Sequence, residues 1–192
     1  MNKPNNYDST STSSGFIPIE LGGHTATIKR VQESTSSSGR PMIVVAIDFD
    51  NQDKQPGYFS KQFEEDTREE KKWPYQGMQW ILTEDENGNC SRSFKAFISC
   101  VERSNNSDCV WGDGFEQWFK NKKIGVVYGE NEEEYNGEVR SRHKIRYFCQ
   151  YDKAPGASVP DKKFIKEPKS SNSGDLNKWV NVPEEAESEI PF

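Results

Sequence analysis

The stretch "MIVVAIDF" (residues 42–49) is the strongest strand signal in the sequence. It is apolar and β-branched, and alternation along a strand places Ile43, Val45, Ile47 and Phe49 on one face. Ser, Gly and Pro precede it and "NQDKQPG" (51–57) follows it, and both compositions are typical of turns. We therefore expect a central strand that lines the core of a β-domain.

Further elements are predicted on both sides of this strand. Alternating or apolar runs indicate four more strands, at 24–31, 58–63, 124–130 and 138–151. Between the last two, Asn136-Gly137 predicts a hairpin turn. In "SFKAFISCVERSN" (93–105) the apolar residues Phe94, Phe97, Ile98 and Val101 have helical spacing, so one helix with a single buried stripe is expected. Residues 64–80 are interpreted as a surface excursion.

The order of these elements, β-β-β-α-β-β, predicts the fold class. It is the arrangement of an all-β domain with a small α component, a five-stranded OB-fold barrel with one capping helix. Another small β-barrel or a sandwich is the alternative. The predicted domain covers 15–166. A flexible arm rich in Asn, Ser and Thr (1–14) precedes it, and 167–192 has the composition of a disordered linker and acidic tail.

The net charge of −6 is distributed unevenly along the 192 residues. Four glutamates lie in the last nine residues, which leaves −2 for the remainder. Residues 138–166 contain eight Lys or Arg against three acidic residues. A mildly acidic total therefore conceals a basic region, and it does not exclude a polyanionic partner.

The predicted fifth strand carries a row of cations. Alternation places Arg140, Arg142, Lys144 and Arg146 on one face, continued by Phe148. Residues two apart on a strand are separated by about 7 Å, close to the phosphate spacing of an extended single strand. Cations at this spacing beside an aromatic ring are typical of sequence-tolerant single-strand binding. The alternative is a solvated edge strand protected by charge.

Basic and aromatic residues also recur together on other segments. OB-folds bind oligonucleotides on their second and third strands and the adjoining loops. On that basis the further candidate nucleic-acid-binding residues are Lys29, Arg30, Arg40, Tyr58, Phe59, Lys61 and Trp73. Phe59 is equally compatible with a place in the core, in which case Tyr58 would be the stacking residue. Trp111 and Trp118 are expected in the core or at a helix cap.

Several classes of function find no support in the sequence. No Ser–His–Asp constellation, GxSxG or phosphate-binding GxxxxGK[ST] motif is visible, so we expect no enzymatic activity and no cofactor. The cysteines and histidines lack metal-ligand spacing, so no metal site is predicted. No signal peptide or membrane-spanning apolar run is present, and a cytoplasmic location without membrane association is expected.

The last nine residues, "EEAESEIPF", make the predicted function more specific. They resemble the acidic tip of bacterial single-stranded DNA-binding proteins, which have an OB-fold, a linker and a terminal Ile-Pro-Phe or close variant. The body resembles the phage-encoded single-stranded DNA-binding proteins of Gram-positive hosts, over about 15–165. The resemblance rests on the segments "SSSGRPMIVVAIDFDNQDKQPGYF", "FKAFISCVERSN" and "KKIGVVYGENEEEYNG".

This resemblance implies a role in phage-type DNA replication and recombination, in the cytoplasm of the host cell. It implies that Glu189, Ile190, Pro191 and Phe192 bind replication, recombination and repair enzymes. An apolar pocket would receive Phe192, a basic group its terminal carboxylate, and a basic rim the glutamates. A homo-oligomer is compatible with it. The alternatives are a protein-binding adaptor β-domain and a single-strand annealing recombination protein; a nuclease is the remaining enzymatic option.

Overall fold

The structure of the chain is a computed structural model that describes residues 3–5, 7–9 and 17–165. Much of the predicted arm (1–14) and all of the predicted tail (167–192) lie outside these residues. Residues 17–165 contain five strands, three α-helices and three short 3₁₀ turns. Among the described residues, no helix is both long and apolar enough to cross a membrane.

A single antiparallel sheet forms the body of the protein. Its strands are β1 (Gly22–Thr35), β2 (Pro41–Phe49), β3 (Met78–Leu82), β4 (Lys123–Tyr135) and β5 (Glu138–Cys149). They are hydrogen-bonded in the order β3-β2-β1-β4-β5. The expectation of a mostly β domain with five strands is confirmed.

The predicted central strand and its core face are confirmed. Ile43, Val45 and Ile47 are fully buried and Phe49 is 2% exposed. Because the side chains alternate, Val44 and Ala46 lie on the opposite side of the sheet. β2 therefore has a core face and an outer face.

The helix α2 (Arg92–Asn105) covers the core as its apolar stripe predicts. Phe94, Phe97, Ile98 and Val101 are all buried. The Ser91 hydroxyl accepts a hydrogen bond from the Phe94 amide at 3.1 Å and caps the helix start. Asn106, in the left-handed conformation, ends the helix. A four-residue helix, α3 (Phe115–Trp118), follows it.

The prediction of a strand at 58–63 is wrong, because these residues form the helix α1 (Tyr58–Glu65). The buried carboxylate of Asp48 accepts a hydrogen bond from the Phe59 amide at 2.9 Å and one from the Ser60 hydroxyl. The same carboxylate accepts from the Ser60 amide at 3.4 Å, so it satisfies two backbone donors that a helix start leaves unpaired. This cap comes from the end of β2, 11 residues before Phe59, so the pattern of 58–63 does not reveal it.

The third strand lies instead at Met78–Leu82, within the segment interpreted as a surface excursion and directly after the 3₁₀ turn Tyr75–Gly77. It pairs with β2, placing Ile81 opposite Ile43 and Trp80 opposite Val44. Gly77 allows the Phe59 ring to approach the backbone, since a Cβ on Gly77 would lie 2.8 Å from Phe59 Cγ. The order β-β-β-α-β-β is therefore retained, with α1 inserted before β3.

The β4–β5 hairpin is longer than predicted, because 131–135 continue the strand rather than turn. Its turn is the predicted Asn136-Gly137, whose φ values of 54° and 79° suit a two-residue hairpin loop. Within this extension Glu133 lies directly opposite Arg140, an opposite-charge pair that stabilises the ladder.

The two edge strands, β3 and β5, are not paired with each other in the described part of the chain. The 3₁₀ turn Tyr75–Gly77 lies at this opening. The Gln76 side-chain amide donates to the His143 backbone carbonyl at 3.1 Å, and the backbone carbonyl of Gln76 accepts from the Tyr128 hydroxyl at 2.7 Å. The sheet is thus held around the core without a closed ladder.

Candidate nucleic-acid interface

The outer face of β1, β2 and β3 carries rows of side chains opposite to the core. One row joins Gln32, Val44 and Trp80, and the next joins Arg30, Ala46 and Met78. A β-bulge at Lys29 precedes Arg30 in β1. Neighbouring strands are about 4.8 Å apart, so each row spans about 10 Å from β1 to β3.

Aromatic residues extend this face toward the open edge of the sheet. The rings of Tyr75 and Trp80 have centroids 5.1 Å apart and are tilted by 32°. The Nζ atom of Lys144 lies 5.6 Å from the centre of the Tyr75 ring, within the range of a cation–π contact. The 3₁₀ turn Tyr75–Gly77 therefore places the Tyr75 ring between Trp80 on β3 and Lys144 on β5.

We call this surface the aromatic-basic face and define it by Arg30, Val44, Tyr75, Trp80, Arg142 and Lys144. Tyr75 is 38% exposed and Arg30 is exposed, while Trp80 and Val44 are partly exposed. Exposed aromatic surface between cations can stack bases while the cations contact phosphates.

Glu133 moderates the charge of this face. Its carboxylate contacts the Lys144 ammonium directly and lies 3.5 Å from Nε of Arg142. The side chain of Glu133 is only 19% exposed, against 46% for Arg142. Two cations of the predicted row are thus held side by side by one carboxylate, and part of their charge is neutralised.

The pKa values of the neighbouring groups reflect the same environment. Burial raises the pKa of Tyr75, and the positive charge of Arg142 opposes that shift. Burial lowers the pKa of Lys144, as does the charge of Lys163. The Glu133 contact acts in the opposite direction, and its close geometry favours a charged Lys144 at neutral pH.

The remaining cations of the predicted row, Arg140 and Arg146, have their own partners. Arg140 pairs with Glu138 at 2.6 Å and lies over the Tyr135 ring. Arg146 donates to the Asn131 side chain at 2.8 Å. Arg146 is also the extra residue of a β-bulge, because Tyr128 pairs with Ile145 and Val127 pairs with Tyr147.

Because of this bulge, the prediction that Phe148 continues the face of the cations is wrong. The extra residue reverses the alternation, so Phe148 packs against the core and meets the Phe97 ring at 5.0 Å. It does not continue the face of the cations.

Three other candidate stacking residues also lie in or against the core. Phe59 is fully buried, and Tyr58 is 9% exposed, with its hydroxyl donating to the Ile17 carbonyl. Trp73 is partly buried and donates from its indole nitrogen to the Ile47 carbonyl at 3.1 Å. These rings stabilise the fold and offer little face for a base.

The remaining predicted cations lie apart from one another. Lys29 is exposed on the β1 bulge, 3.9 Å from the Asp48 carboxylate. Arg40 donates to the Glu84 carbonyl at 3.1 Å. Lys61, on α1, donates to the Pro56 carbonyl. The predicted partner-binding residues Glu189, Ile190, Pro191 and Phe192 lie outside the described residues.

Trp80 and Tyr75 are absent from the set of binding residues predicted from the sequence. For Trp80 a signal exists in the sequence, because the short, mostly apolar run 78–82 after Gly77 is compatible with a strand. Trp111, expected in the core or at a helix cap, is 62% exposed and occupies the N-cap position of the 3₁₀ turn Gly112–Gly114, so the second of these alternatives holds. Trp118 packs against the core as expected.

The sequence was also compared with known proteins. No protein-family model matches the chain, and no curated protein shows significant similarity to it.

Proposed function

We propose that this protein binds single-stranded DNA without strong sequence preference through the aromatic-basic face. The observation that carries the proposal is the convergence of Trp80, Tyr75, Lys144 and Arg142 at the edge between β3 and β5. Every base has a π-face, so stacking on these rings is tolerant of sequence. The cations add attraction to the phosphates, which is independent of sequence as well.

The proposal includes an OB-type fold. In its favour are the five strands, the helix α2 that packs on the core between the third and fourth strands, and the strand order β3-β2-β1-β4-β5. An OB-fold is a partly open five-stranded barrel that binds oligonucleotides on its second and third strands. Two residues of the aromatic-basic face, Val44 and Trp80, lie on the second and third strands, next to the opening that Gln76 bridges.

The proposed biological role is phage-type replication or recombination in the host cytoplasm, with enzymes recruited by residues 189–192. Deleting Ile190–Phe192 should leave DNA affinity equal or higher, because the tip is apolar and terminates an acidic segment. The same deletion should abolish binding of partner enzymes through a pocket that receives Phe192. Loss of DNA affinity on this deletion would contradict the proposal that residues 190–192 bind partner enzymes and not DNA.

The direct test of the DNA face is Trp80→Ala in the full chain. Base–aromatic stacking contributes about 1–3 kcal/mol per base, so affinity should fall about 5- to 150-fold. The assay is fluorescence anisotropy of a labelled oligo-dT of about 16 nucleotides, the upper site size of one OB-fold. The matched control is Trp111→Ala, which removes another exposed tryptophan from a different surface and should bind normally. Equal affinity of wild-type and Trp80→Ala protein would refute the proposed face.

One observation favours a second function, the protein-binding adaptor. Arg140, Arg142 and Lys144 each have a carboxylate partner within the hairpin, as solubilising strand residues do. Reversing Arg140, Arg142 and Arg146 to Glu separates the two functions. An adaptor would keep its partner affinity, whereas the DNA-binding function would be lost. An annealing assay tests the third alternative, since a recombination protein would pair complementary strands.

A further inference from the structure

A second surface lies away from the aromatic-basic face. It is a groove with a volume of about 820 Å³, between the start of α2, the 3₁₀ turn Gly112–Gly114, α3 and the segment after β3. This volume is within the usual range of about 300–1,000 Å³ for ligand sites. Glu33, which lines the groove, pairs with Ile43 on the core side of the sheet. The groove and Trp80 are therefore on opposite sides of the sheet.

The groove has an aromatic floor and one prominent exposed ring. Phe94 and Phe115 are buried beneath it. Trp111 stacks on Phe115 with centroids 5.6 Å apart and an interplanar angle of 16°. Although its lower face is covered, Trp111 remains 62% exposed, and Val110 beside it is 48% exposed. A rigidly supported, solvent-exposed tryptophan is a common anchor of protein interfaces.

The rim of the groove is acidic. Four carboxylates line it, and no Lys or Arg is among the lining residues; the four are Glu33, Glu84, Asp113 and Glu116. Within 17–165, none of these carboxylates forms an ion pair. Arg40 approaches the rim but donates to the backbone carbonyl of Glu84. Glu116 accepts from the Glu33 amide at 2.7 Å, which fixes its carboxylate at the edge.

We propose that this groove binds a basic segment of a partner protein, with an aromatic or aliphatic anchor flanked by Lys or Arg. The anchor would pack on Trp111, and the flanking cations would meet the carboxylates of Asp113 and Glu116. Charge complementarity selects this occupant, because like charges repel both DNA and the chain's own acidic tail. The site is independent of the DNA-binding proposal and adds a second contact with a protein partner.

The test uses the ¹⁵N-labelled full chain and two unlabelled peptides. One is a synthetic nonapeptide with a central Phe-Leu pair flanked by lysines. The other is "EEAESEIPF", the sequence of residues 184–192. Binding is followed by the indole N–H signals of the five tryptophans, and the Trp111 signal is identified by its loss in Trp111→Phe.

The lysine peptide is expected to shift the Trp111 signal and leave that of Trp80 unchanged. Affinity should fall at least about tenfold in Trp111→Ala and about threefold in Asp113→Asn, because each removes one part of the contact. Glu69→Gln is the matched charge control, since Glu69 is exposed in the loop between α1 and β3, and it should bind the peptide as wild type does. Trp111→Ala should also bind oligo-dT normally, so failure of this proposal is distinguishable from failure of the DNA proposal.

Three results would overturn the inference. The first is a lysine peptide that leaves the Trp111 signal unchanged at low salt. The second is an affinity that is the same in wild type, Trp111→Ala and Asp113→Asn. The third is a different occupant: binding of the acidic peptide at Trp111, or self-association in sedimentation that Trp111→Ala abolishes.

Discussion

Glu133→Gln should increase the affinity of the protein for single-stranded DNA. In the folded chain, the Glu133 carboxylate contacts Lys144 and lies 3.5 Å from Arg142. A phosphate that binds either cation must compete with this carboxylate. Glutamine has nearly the same shape but no charge, so the substitution frees the two cations without leaving a large cavity.

The magnitude follows from the number of cations released. Each phosphate contact to a single strand adds about 0.7 to the slope of log affinity against log salt. At about 0.1 M salt, one additional contact is therefore equivalent to about fivefold in affinity, and two contacts to about 25-fold. We expect a gain between these values and a salt slope steeper by about 0.7 to 1.4.

The assay is anisotropy of labelled oligo-dT at several salt concentrations, with urea unfolding to confirm that the variant is folded. The control is Glu134→Gln, which removes the same charge from the neighbouring position, on the opposite face of β4 and paired with Val139. Glu134→Gln should change affinity by less than about twofold, because it forms no ion pair in 17–165. Equal gains in both variants would show that only net charge matters, and no gain in Glu133→Gln would refute the proposed role of Arg142 and Lys144.

Three further predictions concern the fold. Phe59→Ala should lower the free energy of unfolding by about 3–5 kcal/mol in urea titration, because the ring is fully buried; a loss below about 1 kcal/mol would contradict its place in the core. Gly77→Ala should destabilise the chain by about 1–3 kcal/mol in the same assay, since the added methyl lies 2.8 Å from the Phe59 ring; unchanged stability would contradict this close approach. Burial alone would raise the pKa of Asp53, but hydrogen bonds from His24 and from the amides of Gln55 and Thr25, with the charge of His24, lower it. The Asp53 carboxylate therefore stabilises the folded state at pH values above its unfolded pKa of about 3.9, and this stabilisation is lost as pH falls through the lower folded pKa. Asp53→Asn should be less stable near neutral pH and lose less stability on acidification; parallel pH curves for wild type and variant would refute this linkage.

The parts of the fold that the sequence predicted are those encoded by local periodicity. Residues 42–49 form an apolar, β-branched run of strand length, and Phe94 to Val101 have unambiguous helical spacing. The Asn136-Gly137 turn depends on the backbone preferences of those two residues. In these segments the local pattern and the tertiary contacts favour the same structure.

The errors arise where tertiary contacts decide. "YFSKQF" (58–63) has aromatics compatible with either period, and the Asp48 cap selects the helix. In β5, a single extra residue at Arg146 moves Phe148 from the predicted outer face to the core. The predicted row of cations is present, but its carboxylate partners come from β4 and the hairpin end. The role of Tyr75 depends on the edge between β3 and β5, which no local sequence pattern reveals.

The central claim is that the aromatic-basic face binds single-stranded DNA by stacking and phosphate contacts. The most direct test is the intrinsic fluorescence of the five tryptophans, titrated with poly-dT at about 50 mM and 200 mM salt. We predict quenching at the lower salt, lost in part in Trp80→Ala, and an affinity that falls steeply at the higher salt. No quenching and no spectral shift at low salt would contradict the account.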